Sequence, residues 1–187
     1  QGEFENAIKL YKYLIKDDPE SYEILKFQAR IVNAVYKQQS KEDTVKEVQR
    51  MLGLYERVSD QAPPEWLKEQ KGAVETELRI IATTWHKEAD INKDKRTLGL
   101  AADMYRESLR LFPGDANAYD ITMNQALMLK SLDRYEEAGD AFEKVLRLNP
   151  NGKYSTEAAY EAMFAYYSLM KAKKTTVKDE TEMDGIE

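Results

Sequence analysis

The residues best suited to chemistry lie in the segment TTWHKEAD, residues 83–90, which holds the single histidine of the chain. His86, with Asp90 one helical turn later, has the side chain of a general base or a metal ligand. A metal site, however, needs three or four ligands, and the chain has no second histidine. Acid–base catalysis also needs a group that orients the ring and a pocket for the substrate. We therefore interpret His86 as a residue on the flank of a helix.

A second candidate is the segment NPNGKYST, residues 149–156, which ends like a phosphate-binding loop. Such a loop requires a glycine five residues before Gly152, and that position holds Arg147. No strand is predicted before the segment either. We predict that it is a turn between two helices.

The composition excludes several further classes of function. The 187 residues include 28 Lys and Arg against 34 Asp and Glu, so the formal charge of −6 gives no overall attraction for nucleic acid or anionic lipid. The chain has no cysteine, which excludes disulfides, thiolate zinc sites and cysteine nucleophiles. No apolar run of about 18 residues occurs, so we expect no membrane insertion. We predict that the protein is not an enzyme and uses no cofactor.

An internal repeat determines the predicted fold. In the segment DRYEEAGDAFEKVLRLNP, residues 133–150, the small residue Ala138 is followed by apolar residues four and seven positions later and by proline twelve positions later. A large residue precedes it by three positions. The spacing occurs in four copies: Phe4, Ala7, Tyr11, Leu14, Pro19; Val48, Met51, Tyr55, Val58, Pro63; Leu98, Ala101, Tyr105, Ser108, Pro113; and Tyr135, Ala138, Phe142, Val145, Pro150. The second copy is looser, because methionine replaces the small residue.

Each copy predicts one helix with a packed stripe. Positions three and four residues apart fall on one side of a helix, and the small residue lets a neighbouring helix approach closely. Proline follows the helix end because it cannot continue the hydrogen-bond ladder. Further helical patterns lie at about 21–39, 65–92, 116–132 and 155–172. The chain should therefore form about eight antiparallel helices, in which the four repeat copies are the second helices of pairs.

This pattern resembles the tetratricopeptide repeat family, whose second helix carries the same small, aromatic, aliphatic and proline signature at a period of about 34 residues. The resemblance covers nearly the whole chain and implies an all-α fold, a right-handed α/α superhelix, over residues 1–173. The small-residue positions 7, 51, 101 and 138 are spaced by 44, 50 and 37 residues, so the repeats are irregular. Of the first-helix positions Thr122, Gln125, Ala126 and Leu129, only the last two fit the family preference.

The irregular repeats, the segment PPEWL and the helical segment TELRIIATTWHKEADINK also resemble envelope-associated repeat proteins of Gram-negative bacteria. These include scaffolds of outer-membrane assembly and of gliding motility. The resemblance favours the periplasm or the cell envelope over the cytoplasm.

Stacked helix pairs bind other proteins on an extended concave surface. We therefore predict a non-catalytic scaffold for protein–protein interactions in a bacterial envelope complex. The alternative is a peptide-binding adaptor or co-chaperone that recognises an apolar or helical segment. The candidate groove residues are Asp120, Met123, Asn124, Leu127, Lys130 and Ser131.

The family resemblance also implies a negative prediction. Family members that clamp the terminal carboxylate of chaperone tails use lysine, asparagine and arginine at set groove positions. Here those positions hold Asp120, Met123 and Leu127. We expect no carboxylate clamp in this chain.

Both terminal helices are expected to have an uncovered face, which would allow self-association. In the last helix, Ala159, Ala162 and Tyr166 should face the preceding pair. The residues Tyr160, Phe164 and Tyr167 form a second apolar stripe, and a helix of this kind is normally buried on both sides. A partner protein, a further repeat or a second copy should cover the stripe, unless the tail or the curl of the solenoid does.

Two segments leave alternatives open. Residues 65–92 are predicted to form one long helix that projects beyond its neighbours, or two helices that are broken near Gly72. The acidic tail, residues 174–187, is predicted to be disordered or to be a short docking segment.

Overall fold

The chain folds into helices only, as far as the structure describes it. The computed structural model describes residues 2–183, with side chains from 2 to 174. These residues contain eight helices: α1 (Gly2–Asp17), α2 (Ile24–Lys37), α3 (Lys41–Ser59), α4 (Pro64–Asn92), α5 (Lys95–Leu111), α6 (Ala118–Ser131), α7 (Tyr135–Leu148) and α8 (Ser155–Met183). The prediction of an all-α fold with about eight helices is confirmed.

The helices group into two compact units, Gln1–Thr83 and Thr84–Glu187. In the first unit, α2 packs between α1 and α3. In the second unit, α6 packs between α5 and α7, and α8 packs on α7. Helix α4 runs through the boundary as one helix of 29 residues, so the break near Gly72 does not occur. Its projection beyond its neighbours remains a prediction.

The repeat pattern defines the second helix of each pair, as predicted. Helices α1, α3, α5 and α7 each end just before the proline of their repeat copy. The small-residue positions Met51, Ala101 and Ala138 are completely buried, because a neighbouring helix packs on them. Ala7 is partly exposed, and α1 has no buried residue.

The turn inside each helix pair contains one residue in the left-handed region. Gln39, Lys93 and Asp133 have φ angles of 63°, 55° and 61°. Each directly follows the first helix of a pair or its last capping residue, and none is a glycine. A left-handed residue at this place ends a helix and redirects the chain. The same left-handed turn residue therefore follows α2, α4 and α6.

A non-glycine residue in the left-handed region carries backbone strain. A matched pair of substitutions at the first of these turns tests this strain at Gln39. Gln39→Gly should raise the free energy of unfolding by roughly 0.5–1 kcal/mol, because glycine adopts a left-handed conformation without a steric cost. Gln38→Gly, at a right-handed φ of −78°, should lower it by a similar amount. Urea denaturation curves measure both values. Destabilisation by both substitutions would contradict the strain at Gln39.

A buried polar cluster connects helices α1, α2 and α3. The Gln28 amide donates to Oε2 and to the backbone carbonyl of Glu47, at 2.8 and 3.0 Å. Lys12 Nζ and Arg50 Nη1 lie 3.1 and 2.7 Å from Oε1 of the same carboxylate. Burial raises the pKa of Glu47, but the hydrogen bonds from these three side chains outweigh it, so the pKa lies below its ordinary value. The carboxylate is therefore stabilised as an anion.

This cluster should make the stability depend on pH. Because the pKa of Glu47 is lowered by folding, its contribution is present above the pKa of the unfolded chain and is lost as pH falls through the lower, folded pKa. Glu47→Gln should cost roughly 1–2 kcal/mol at neutral pH, and the difference from wild type should shrink on acidification. Chemical denaturation over a pH series measures this loss. Glu20→Gln, at an exposed loop position, is the control and should show no such trend.

The last helix extends into the acidic tail. The backbone of α8 continues to Met183, and so includes part of the segment 174–187. The disorder that we expect of this segment remains a prediction, and residues 184–187 lie outside the described part of the chain.

Candidate protein-binding surface

Helices α6 and α8 are connected at one end by Tyr154, which directly precedes α8. Its hydroxyl donates to Oδ1 of Asp120 at 2.9 Å, and its backbone N–H donates to the Tyr119 hydroxyl at 2.9 Å. Lys153 Nζ lies 2.7 Å from the same Asp120 oxygen. These hydrogen bonds hold the pKa of Asp120 below its ordinary value. Asp120 is thus an anion with partners inside the chain.

The other end is connected by Lys130. Its ammonium group donates to Oε2 of Glu161 on α8, and both side chains are largely shielded from solvent. The same Nζ lies 5.0 Å from the centroid of the Phe164 ring, a cation–π contact. Lys130 therefore neutralises Glu161 and holds the Phe164 ring close to α6.

Between these two connections lies a mixed apolar and polar face. Asn124 and Ser131 are exposed, and Leu127 is partly exposed. On α8, the Phe164 ring is exposed beside them. The structure therefore brings five of the six predicted residues of α6 to this side. Lys130 contacts α8, and Asp120 contacts the two residues that precede α8. We call Asn124, Leu127, Ser131, Tyr160 and Phe164 the α6/α8 surface.

The prediction for Met123 is wrong, because this side chain is only 2% exposed and belongs to the core. Helix α6 packs between α5 and α7, so its buried arc is wide and includes the position next to Asn124. One residue corresponds to a rotation of about 100° around the helix. The groove-facing arc is consequently narrower than the sequence suggests.

The predicted stripe on α8 is exposed in this chain. Tyr160 is 61% exposed, and Phe164 and Tyr167 are also open to solvent. Met163 and Met170 are exposed too, although the sequence analysis did not select them. Their i, i+7 spacing was the signal that could have identified them.

The opposite side of α8 packs on α7. The alanines Ala158, Ala162 and Ala165 are buried there, whereas Ala159 is exposed, contrary to the prediction. Tyr166 lies against Gly139 of α7, as predicted. The Tyr166 hydroxyl donates to Asp140 and Glu143 at 2.9 and 3.2 Å. Burial and these two carboxylates raise the pKa of Tyr166 above its ordinary value.

The two segments that were considered for catalysis or ligand binding lie in a helix and in a turn between helices. His86 Nε2 lies 3.5 Å from Oδ2 of Asp90 on the same helix. Among the described residues, no group of three or more His, Cys, Asp or Glu side chains is placed to hold a metal ion. Gly152 lies in the turn between α7 and α8, as predicted, and any side chain there would collide with the Tyr119 hydroxyl.

Comparison with known proteins assigns part of the chain. The tetratricopeptide repeat family model matches residues 119–151, which include most of α6, the turn at Asp133 and all of α7. These residues are similar to one tetratricopeptide repeat. The remaining helices are outside the match, although α1, α3 and α5 have the same spacing as α7 in this repeat.

Comparison with solved structures and with curated proteins adds little. The chain is similar to the TPR2AB domain of yeast Sti1, solved in a complex with pHSP90, at a TM-score of 0.35 and 24% identity over 92% of this chain and 67% of that one. No curated protein matches the sequence. In the described part of the chain, each helix is too short or too polar to cross a membrane.

Substitution of Gly139 tests the packing that positions α8. A Cβ atom at this glycine would lie 2.6 Å from Cε1 of Tyr166, so Gly139→Ala should displace the ring and cost about 1–3 kcal/mol. At Gly99, also in a helix of the second unit, a Cβ atom would come no closer than 4.0 Å to Leu132. Gly99→Ala should stabilise by roughly 0.5–1 kcal/mol. Thermal and urea unfolding measure both; equal stabilisation would contradict the close packing.

Proposed function

We propose that this chain is a non-catalytic protein-binding scaffold, and that the α6/α8 surface is one of its binding sites. The match to a tetratricopeptide repeat supports a role in binding proteins, since such repeats present extended surfaces for this purpose. The proposal depends on one observation. Exposed Phe164 and partly exposed Leu127 lie between two charged groups, Asp120 and Lys130, that already have partners.

The chemistry of this surface favours an apolar ligand. Aromatic side chains are the most frequent anchors of protein interfaces, and Phe164 and Tyr160 are both exposed here. Lys130 is bound to Glu161, and Asp120 is bound to Lys153 and Tyr154, so neither needs a charged group from a ligand. An amphipathic helix or an apolar segment fits such a surface better than a terminal carboxylate does. The polar Asn124 can fix its orientation by a hydrogen bond.

The proposal also concerns the kind of complex in which the scaffold works. The resemblance to envelope-associated repeat proteins supports a scaffold that holds other subunits of a bacterial cell-envelope complex. The alternative, an adaptor for one peptide segment, is supported by the same apolar surface. The two differ in what is bound, because a scaffold contacts a folded subunit and an adaptor contacts an isolated segment.

Site-specific photo-cross-linking tests the proposed surface. A photoreactive amino acid at Leu127 or Tyr160, incubated with solubilised membranes of the source cells, should give discrete adducts that mass spectrometry identifies. The same group at Ile91, which is highly exposed on α4, should give none of them. Absence of adducts at both surface positions, or equal adducts at Ile91, would count against the surface.

Substitution of two side chains with similar exposure, one inside and one outside the α6/α8 surface, makes this test more specific. Phe164→Ala should reduce the adducts about tenfold or more, as expected for loss of an aromatic anchor. Leu148→Ala, at a comparably exposed site on α7, should leave them unchanged. A synthetic peptide from the cross-linked segment then separates the two settings. If it binds as tightly as the intact partner does, the chain is an adaptor rather than a scaffold.

A further inference from the structure

The second half of α8 extends past the helix on which α8 packs. Tyr166 lies against Gly139 near the start of α7, and a short turn makes the two helices antiparallel. From Tyr166 to Met183 the backbone of α8 continues for about 25 Å, whereas α7 has only about 6 Å of helix before Gly139. Most of this part of α8 therefore has no α7 beside it.

The burial of side chains along α8 changes at the same place. Ala158, Ala162 and Ala165 are buried, Leu169 is only partly buried, and every residue from 170 to 174 is exposed. An open pocket with a volume of about 430 Å³ lies there, lined by Tyr166, Leu169, Met170, Lys173 and Lys174. The side of α8 that α7 covers elsewhere thus continues into an apolar pocket with two lysines.

The two lysines of this pocket form a local excess of positive charge. In the part of the chain whose side chains the structure describes, neither Lys173 nor Lys174 forms an ion pair. On a helix, a side chain reaches partners three and four residues away. The residues at these distances include no carboxylate: Leu169, Met170, Lys171, Thr176, Val177 and Lys178. The helix itself therefore supplies no partner for either ammonium group, although the net charge of the chain is −6.

This combination is complementary to a ligand that is both apolar and negatively charged. The carbon chains of lysine side chains lie along apolar surfaces while their ammonium groups stay in water. An apolar group can contact Leu169 and Met170 inside the pocket, and negative charges beside it can pair with Lys173 and Lys174.

The shape of the site favours a protein segment over a small molecule. Sites for small molecules are concave and bury most of the ligand, whereas this pocket is open and all its lining residues belong to α8. Met163 and Tyr167, on the same side of the helix as Met170, are 63% and 50% exposed. A protein segment can cover these side chains as well as the pocket.

We propose that the second half of α8 is a docking site for an acidic segment of a partner protein. The segment inserts one large apolar side chain into the pocket, and its Asp and Glu side chains pair with Lys173 and Lys174. Phe164 lies about 120° around the helix from Met170, so this site is separate from the α6/α8 surface and does not depend on it. It also requires no terminal carboxylate.

Selection from a random dodecapeptide library displayed on phage tests the proposed ligand chemistry. Peptides that the wild-type chain retains, and that Lys173→Glu/Lys174→Glu does not, should contain one large apolar residue with Asp or Glu on both sides. Absence of such differentially retained peptides would overturn the proposal, and so would retained peptides without acidic residues.

Calorimetry with an enriched peptide, synthesised with an amidated C-terminus, measures the charge contribution. Lys173→Glu/Lys174→Glu should weaken binding about tenfold, since two favourable charge pairs become repulsive. Lys68→Glu/Lys87→Glu makes the same change of net charge at exposed positions of α4 and should leave the affinity unchanged. A peptide with lysine in place of its acidic residues should bind Lys173→Glu/Lys174→Glu more tightly than wild type. Failure of this charge exchange would contradict the pairing.

The apolar contribution is measured with the same peptide. Met170→Ala should weaken binding by roughly threefold or more, because it removes a wall of the pocket. Ile80→Ala, at a residue with 45% exposure against 48% for Met170, should have no effect. Phe164→Ala should have none either. A loss caused by Phe164→Ala, with none from Met170→Ala, would overturn this site and place the peptide on the α6/α8 surface, so the two proposals fail separately.

Competition experiments separate the protein segment from other classes of anionic ligand. Laurate and vesicles of anionic phospholipid should not displace the labelled peptide at concentrations near its dissociation constant. Displacement by laurate would assign the pocket to a small amphiphile. Binding of vesicles that is lost in Lys173→Glu/Lys174→Glu would assign it to a membrane surface. Either result would overturn the proposal, as would an amidated peptide that binds much more weakly than the same peptide with a free C-terminus.

Discussion

The structure depends on one constraint, that a helix with apolar residues on two sides has to be covered on two sides. A single repeat cannot satisfy this condition, because each of its helices leaves one side exposed. Helix α6 satisfies it by packing between α5 and α7, and α2 satisfies it by packing between α1 and α3. Burial of these apolar stripes supplies the main favourable free energy of such a fold.

Close approach of the helices is the second requirement, and small residues make it possible. Ala101 and Ala138 are completely buried within α5 and α7. Gly139 permits an even closer contact, since the Tyr166 ring occupies the space that a side chain would need. The left-handed residues Gln39, Lys93 and Asp133 then reverse the chain within a few residues. Short turns and close packing together determine that paired helices are antiparallel.

The character of the proposed binding surface follows from how charges are distributed among these packed helices. Asp120 and Lys130 would be charged groups available to a ligand if α6 stood alone. In the folded chain, Tyr154, Lys153 and Glu161 satisfy them from the neighbouring segment. The middle of the surface is left with Leu127, Phe164 and a polar Asn124. The chemistry of the surface is therefore more apolar than its sequence suggests.

The sequence by itself determined the type of fold and the limits of most helices, because the spacing of small residues and prolines acts within a single helix. It also indicated the exposed aromatic stripe of α8, since apolar residues around most of a helix show that two sides need covering. The tertiary structure alone decided that Met123 is buried and Asn124 exposed, since neighbours on both sides set the width of the buried arc. It also decided that Ala158 rather than Ala159 faces α7, and that Lys130 binds Glu161. These choices depend on contacts between helices, and a periodic pattern within one helix carries no information about which neighbour meets which side.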